Sequence, residues 1–376
     1  MRIRPTPFFS LALSVLIMSC TWTSCKKDAP TEDPAATFDR GTLLRDVAVN
    51  VMRPTYATLA DRTSALENAA AQFNSSADLN TLQALRDAWN NAMDAWQDCE
   101  VFKLGPQYQN SLNSQIANWP ENQGLIEDEI SGTGPIDAAY VNSTGSTRKG
   151  MNAIEYLIYG ENSDAATVLA GITTGPNAAR RRTYLHSLCT DVRVRSHAVN
   201  DAWRPDAGNY EAQFIAATQS DIGGSLNVLV NAWIEHIEWV RSEKVQVPAG
   251  IQTGAAADPE KVENRHCARS FANIRRNVVM WQHILNCGTG LGIDDNLDAV
   301  GATYQGQNLA QKIRDEHALA IAQCDAFTVP LGEAVITQSV AVNELYVTLK
   351  RITVLTKVDL ASNLGVIITI SDNDGD

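Results

Sequence analysis

The chain of 376 residues lacks the marks of several protein classes. Its 13 Pro and 23 Gly are too few for a collagenous or low-complexity protein. Basic residues are in the minority, with 30 Lys plus Arg against 43 Asp plus Glu, a net charge of −13. That balance argues against a nucleic-acid binder, which needs a basic patch to displace counterions from phosphates. It also opposes adhesion to anionic lipid through surface charge. No Cys-x-x-Cys occurs, and strand-like runs are almost absent, the exception being Val366 to Ile370 near the end. His-Glu-x-x-His, Gly-x-Ser-x-Gly, P-loop and Gly-x-Gly-x-x-Gly patterns are all missing. The single Glu-x-x-His pair, Glu263 with His266, falls short of the two pairs that a di-iron bundle requires.

The N-terminus reads as an address. Arg2 and Arg4 precede an apolar run from Phe8 to Met18, which ends in small residues before Cys20 and Cys25. This run is shorter than the ~20 residues a membrane-spanning helix needs. Ile17-Met18-Ser19-Cys20 and Trp22-Thr23-Ser24-Cys25 both resemble the lipobox of bacterial lipoproteins. The Lys26-Lys27-Asp28 that follows, similar to many Bacteroidetes lipoproteins, favours Cys25 over Cys20 as the lipidated residue. The expectation is a signal peptide over 1–24 and, from 25 to 37, a flexible tether with two prolines. Losing Arg2 and Arg4 with the leader, and no acid, takes the net charge from −13 to −15. Attachment to a membrane then falls to the lipid. Five cysteines remain downstream, an odd number at wide spacing, so no disulfide framework is expected. Cys99 and Cys324 fall on apolar helix faces as small buried hydrophobes.

What the body does contain is helical periodicity. Leu82, Leu85, Trp89, Ala92, Trp96 and Cys99 recur at spacings of three and four. So do Leu226, Leu229, Trp233, Ile237 and Val240; Phe271, Ile274, Val278, Trp281 and Leu285; and Val342, Leu345, Leu349 and Ile352. Weaker stripes occupy 41–73, 180–203 and 308–327, and Pro54 should kink or split the first of these. Segments 105–148 and 286–307, rich in Gly, Asn, Ser and Thr, read as long connections. The fold class predicted is all-α, about eight main helices arranged as bundles, with a break near Pro205 between 38–205 and 206–376.

One segment is apolar and aromatic around a single carboxylate: Gly150-Met151-Asn152-Ala153-Ile154-Glu155-Tyr156-Leu157-Ile158-Tyr159-Gly160. It resembles the Gly-x-His-x-x-Glu signature of imelysin-like proteins. Arg53-Pro54-Thr55-Tyr56, Trp96-Gln97-x-x-Glu100-x-Phe102-x-x-Gly105-Pro106, Trp119-Pro120 and Asp258-Pro259-Glu260-x-Val262-Glu263 are similar to further blocks of that family. The ending, Ile368 to Asp376, resembles its Bacteroidetes members, so the likeness spans essentially the whole mature chain. It implies two related helical bundles with the signature near their junction, and a place in the bacterial envelope, periplasmic or on the outer-membrane surface. It also implies a link to uptake of iron or another metal. The family's founding activity, an insulin-cleaving metallopeptidase, is implied as well.

The signature is altered at one position, where Asn152 stands in place of His. Positions i and i+3 share a helix face, so His and Glu there could offer one nitrogen and one carboxylate to a single ion. Asn offers only a neutral amide oxygen and cannot serve as a general base. Glu155 would need help to hold a divalent metal or iron, and Glu100 and Glu263 are the candidates. The alternative is a buried hydrogen-bonded pair of Asn152 and Glu155 that fixes the junction. Arg180-Arg181-Arg182 reads as a solvated first turn, and Glu235-His236-x-Glu238, which could hold a metal, as the polar face of the Trp233 helix. The terminal Asp372-Asn373-Asp374-Gly375-Asp376 fails the spacing of a calcium loop.

The expected function is an envelope lipoprotein that binds its ligand beside transport components in metal acquisition. A metallopeptidase working through Glu155 and a degenerate structural paralogue stay open beside it, so whether the chain is an enzyme is undecided at this level. Labelling with a clickable fatty acid should mark the wild type and spare Cys25→Ser, or Cys20→Ser if that is the acceptor. Absence of label from the wild type contradicts the lipoprotein reading.

Overall fold

The computed structural model describes residues 38–369 apart from 162, 252 and 253. The leader, the tether with Cys25, Cys20 and the acidic run 372–376 lie outside the described residues. The chain is all-helical as expected; among the described residues its strands are Thr303–Tyr304 and Gln307–Asn308, joined antiparallel. Gln305 and Gly306 between them both have positive φ, the geometry a two-residue hairpin turn demands.

Helix α1 (Arg40–Val47) starts where the Asp39 side chain accepts the Thr42 amide. It runs through a wide π turn, Ala48–Met52, into α2 (Arg53–Ser75). Pro54 lies just past that turn. The proline ring would clash with the carbonyl four residues back, and the wider turn relieves it. The Val51 carbonyl accepts the Thr55 hydroxyl, just beyond the turn, at 2.7 Å. So the expected break at Pro54 is a π turn and not a gap. α3 (Leu79–Cys99) opens with a capping box between Asp78 and Thr81 and buries the predicted stripe from Leu82 to Cys99. α4 (Gly150–Tyr159) carries the motif, and α5 (Ala178–Trp203) packs along α2 and α4. These helices form one group.

The second group is built from α6 (Ser225–Trp239), α7 (Ser270–Asn286), α8 (Leu309–Ala326) and α9 (Ser339–Val354). α7 packs on α8, α8 on α9 and α6 on α9, while α3 and α7 meet across the seam between groups. α6 ends in a second π turn, Val240–Gln246, again one residue ahead of an X-Pro pair, Val247-Pro248. A third π turn, Leu355–Leu360, prolongs α9. No single helix among the described residues is long and apolar enough to cross a membrane.

Several expectations need correction. Segment 105–148 is not one irregular connection, since it holds the short helices Gly105–Gln109, Leu112–Ile116, Gln123–Ser131 and Ala138–Ser143. Side-chain caps from Asn122 and Asp137 start the last two, so polar residues that read as loop serve as helix starts. Segment 286–307 likewise contains Ile293–Ala299. The arginine triplet is tied down rather than solvated. Arg180 donates to the Glu129 carbonyl, Arg181 pairs with Glu127, and Arg182 donates to the Ile172 carbonyl.

The described part of the strand-like run near the end, 366–369, pairs with no strand among the described residues. Residues 366–369 lie along α6, where Asn227 and Asn231 take the partner's role. Asn227 Oδ1 accepts the Ile367 amide at 2.7 Å, Asn231 Oδ1 accepts the Thr369 amide at 2.9 Å, and both side-chain amides donate to the Ile367 carbonyl. Spacing i, i+4 on the helix matches i, i+2 on the extended chain. The double variant Asn227→Ala, Asn231→Ala should release this segment. Hydrogen exchange at the Ile367 and Thr369 amides should then speed up by at least tenfold, equivalent to about 1.4 kcal/mol, with the α7 amides unchanged.

Candidate functional site

The motif helix α4 is short and held from several sides. Gly150 has φ of +77°, and a Cβ there would lie 2.4 Å from the Ile116 carbonyl oxygen, so only glycine fits. Trp89 Nε1 donates to the Met151 carbonyl at 2.9 Å, and Arg86 Nε to the Ile158 carbonyl at 2.9 Å near the C-terminal end. Asn152 and Glu155, three residues apart on α4, are both buried, and Glu155 reaches the second group of helices.

A segment of that second group comes to them. Between Lys261 and α7 the chain follows an irregular path in which Asn264 and Ala268 both adopt positive φ. This path carries Glu263, Asn264, His266 and Cys267 to the seam. Asn264 Nδ2 donates to Glu155 Oε2 at 2.7 Å, and the Cys267 amide donates to Glu155 Oε1 at 3.1 Å. Asn152 does not pair with Glu155. Its Oδ1 is buried without a hydrogen-bond partner among the described residues. Burial raises the Glu155 pKa, although Asn264 and the nearby His266 act against that. His266 is bound to Glu121 at 2.9 Å; burial acts to lower its pKa, but Glu121 and Glu155 raise it on balance.

Glu263 leads from Glu155 to a second centre. Its Oε2 accepts Asn273 Nδ2 at 2.8 Å, and Asn273 also donates to Asn264 Oδ1 at 2.7 Å. Its Oε1 accepts Gln97 Nε2 at 3.0 Å. Beside it stands Lys244, 1% exposed, delivered to the interior by the π turn of Val240–Gln246. The Lys244 ammonium donates to Glu100 Oε2 at 2.6 Å, Gln97 Oε1 at 2.7 Å and Asn277 Oδ1 at 3.0 Å, and lies 3.2 Å from Glu263 Oε2. Burial alone would lower its pKa, yet the two carboxylates hold it above its ordinary value. Glu100 is the converse case. Burial would raise it, but Lys244 and His236 hold it down at about 2.

His236 completes the network, and its protonation follows from its partners. Trp281 Nε1 donates to His236 Nδ1 at 3.0 Å, so Nδ1 must accept. The proton therefore sits on Nε2, which lies 3.2 Å from Glu100 Oε2 and donates to it. Burial lowers the His236 pKa and keeps the ring neutral in this role. The earlier reading of Glu235-His236-x-Glu238 as a polar face holds only at its ends. Glu235 pairs with Lys103 and Glu238 with Lys357, while His236 faces the core.

The three carboxylates proposed as metal ligands, Glu155, Glu100 and Glu263, are thus all buried at the seam, and a chain of hydrogen bonds links them. The donor set does not suit a resident metal ion. Both Glu155 oxygens face N–H donors, whose positive ends would repel a cation, and the Lys244 ammonium already stands between Glu100 and Glu263. Among the described residues no three or more His, Cys, Asp or Glu side chains are grouped to hold one. Lys244 was missed at the sequence level, but a signal existed. Extending the stripe Trp233, Ile237, Val240 by four residues lands on Lys244, a cation on an apolar face.

Glu100 and His236 also form part of the floor of a cleft of about 1200 Å³ along the seam. One wall comes from residues between Glu100 and Trp119, and the other from α6, its π turn and α9. Trp119 and Trp239 meet edge to face at its mouth, ring centres 5.3 Å apart. Arg241 lines the cleft with no ion-pair partner, and its Nε is buried without a hydrogen bond among the described residues. Glu155 lines neither this cleft nor a smaller pocket of about 340 Å³ beside Asp98 and His283.

Lys244→Met should lower the unfolding free energy in urea by about 3–5 kcal/mol, because it leaves two buried carboxylates without their cation. Glu100 also sets a pH dependence. Its folded pKa is depressed, so its contribution is complete above the unfolded value of 4.5 and is lost as the pH falls toward about 2. The melting temperature of Glu100→Gln should therefore fall less steeply than that of the wild type across that window. Parallel profiles would contradict the assignment.

The comparisons with known proteins agree with this architecture. The family profile of imelysin matches residues 52–355. The chain is similar to the iron-regulated protein A of Synechococcus elongatus, with 23% identity over 283 residues, 73% of this chain and 69% of that protein. Its fold resembles the crystal structure of an imelysin-like protein from Psychrobacter arcticum, TM-score 0.71 at 20% identity, over 88% of this chain and 97% of that one. It also resembles that of a putative iron-regulated protein A precursor from Parabacteroides distasonis, TM-score 0.70 at 16% identity, over 90% and 97%. With its profile matched across most of its length and its altered signature buried at a helical seam, the chain belongs to the imelysin family.

Proposed function

We propose that this protein is a non-catalytic binding component in iron acquisition, and that iron enters the seam cleft as cargo on an anionic carrier. The observation that carries the reading is Arg241. On a chain of net charge −13, an arginine that lines a large cleft and pairs with no carboxylate among the described residues is arranged for an anion from outside. Its planar guanidinium suits a carboxylate. The Trp119–Trp239 pair offers apolar surface beside it. The relevance of iron is taken from the name of the Synechococcus relative. In this reading the protein is held in the bacterial envelope by lipid on Cys25 or Cys20 and hands its cargo to transport components.

The metallopeptidase alternative has less support. Glu155 is buried, accepts hydrogen bonds from two N–H donors and lines neither the seam cleft nor the smaller pocket, which is a poor setting for a catalytic base. Ferric citrate is a suitable probe, with tryptophan fluorescence as the readout. Saturable quenching is expected for the wild type, weakened about tenfold or more in Arg241→Ala, since a hydrogen bond to a charged group contributes about 1.5–3 kcal/mol. Glu155→Gln should bind as the wild type does. Absence of binding, or metal-dependent protein cleavage lost in Glu155→Gln, would sink the proposal.

A further inference from the structure

One side of α9 takes no part in the seam. α9 buries Val342, Leu345, Tyr346, Leu349 and Ile352. On its opposite side Val340, Val347 and Val354 are exposed by 74%, 39% and 44%. They are seven residues apart, so they share one side of the helix. Two further aliphatic side chains near its ends are exposed. Ile336, on the preceding short helix Leu331–Thr337, and Val358, in the π turn that prolongs α9, are each 58% exposed. The exposed side chains on α9 and its extension span about 30 Å.

The arrangement is symmetric in sequence about Val347. Val340 and Val354 stand equally far before and after it, and so do Ile336 and Val358. Glu344 and Lys350 flank it at equal distance, opposite in charge. Both are exposed, and neither has an ion-pair partner among the described residues. A two-fold axis through Val347 superposes this face on itself with the helices antiparallel. Each Val340 then meets the partner's Val354, and Glu344 faces the partner's Lys350 on both sides. That is the self-complementarity an isologous interface requires.

We propose that this face binds a second copy of the same chain, forming an antiparallel homodimer centred on Val347. The occupant follows from charge and side-chain type. A lipid surface would need a basic rim, whereas this stripe carries a balanced acid–base pair on a strongly acidic protein. Valine is stiff about χ1, so ordering it in an interface costs little side-chain entropy. Lys350 also lines the cleft, so the interface begins at the cleft's rim.

Sedimentation equilibrium of the full-length chain across the micromolar range tests the proposal, with charge reversals to define the geometry. The wild type should approach twice the monomer mass. Glu344→Lys and Lys350→Glu should each weaken association about tenfold or more, and the double reversal should restore it, because the pair only exchanges sides. Val347→Cys, lying on the axis, should cross-link to its own copy under mild oxidation when the wild type does not. A chain that stays monomeric throughout would overturn the proposal. So would a dimer indifferent to the reversals, or a monomer that attaches to phosphatidylglycerol vesicles in a manner lost on Val347→Glu. Circular dichroism on each variant separates loss of association from loss of folding.

Discussion

One ammonium group governs the seam. Lys244 stands buried between Glu100 from the first group of helices and Glu263 from the segment leading into α7, with Gln97 and Asn277 filling its remaining donor positions. Two buried carboxylates without a cation would repel each other and lose their hydration, so neither could stay ionised there alone. With Lys244 in place they become the posts to which both halves are tied. Glu100 fixes His236, and through it Trp281. Glu263 fixes Asn273, which reaches Asn264 and thereby Glu155. The motif carboxylate is the far end of a polar chain that starts at the lysine.

This places the altered signature in a different light. An imidazole at position 152 would sit on the same helix face as Glu155, and here a neutral amide takes its place. An imidazole is nevertheless close by, since His266 lies against Tyr156 and interacts electrostatically with Glu155. It belongs to the partner segment across the seam and is committed to Glu121. Glu155 itself accepts two hydrogen bonds from the segment across the seam.

Much of the fold was legible in the sequence and much of the site was not, for a physical reason. Apolar periodicity reports which face of a helix meets the core, so the stripes on α3, α6, α7 and α9 were readable directly. Pro54 marked a break because its missing N–H is a local fact. The polar network depends instead on pairs such as Gln97 with Glu263, Glu100 with Lys244 and Asn264 with Glu155, all distant in sequence. Glu100 and Glu263 became candidates through family likeness. Lys244, His236 and Asn273 did not, because residues of those types are far more often solvated. The two Asn side chains that hold residues 366–369 were hidden likewise, since an amide on a helix face signals nothing until an extended chain lies against it.

The seam has a mechanical consequence for the cleft above it. Glu100 and His236 belong both to the latch between the helical groups and to the cleft floor. Many two-lobed receptors close around their cargo by rotating on a hinge. Here the same swing would pull Glu100 from Lys244 in a dry interior, so opening and shutting of that kind carries a penalty of several kcal/mol. The cleft floor is therefore held rigid by the same ion pairs that tie the two helical groups together, and any change in the shape of the cleft falls to the side chains of its walls.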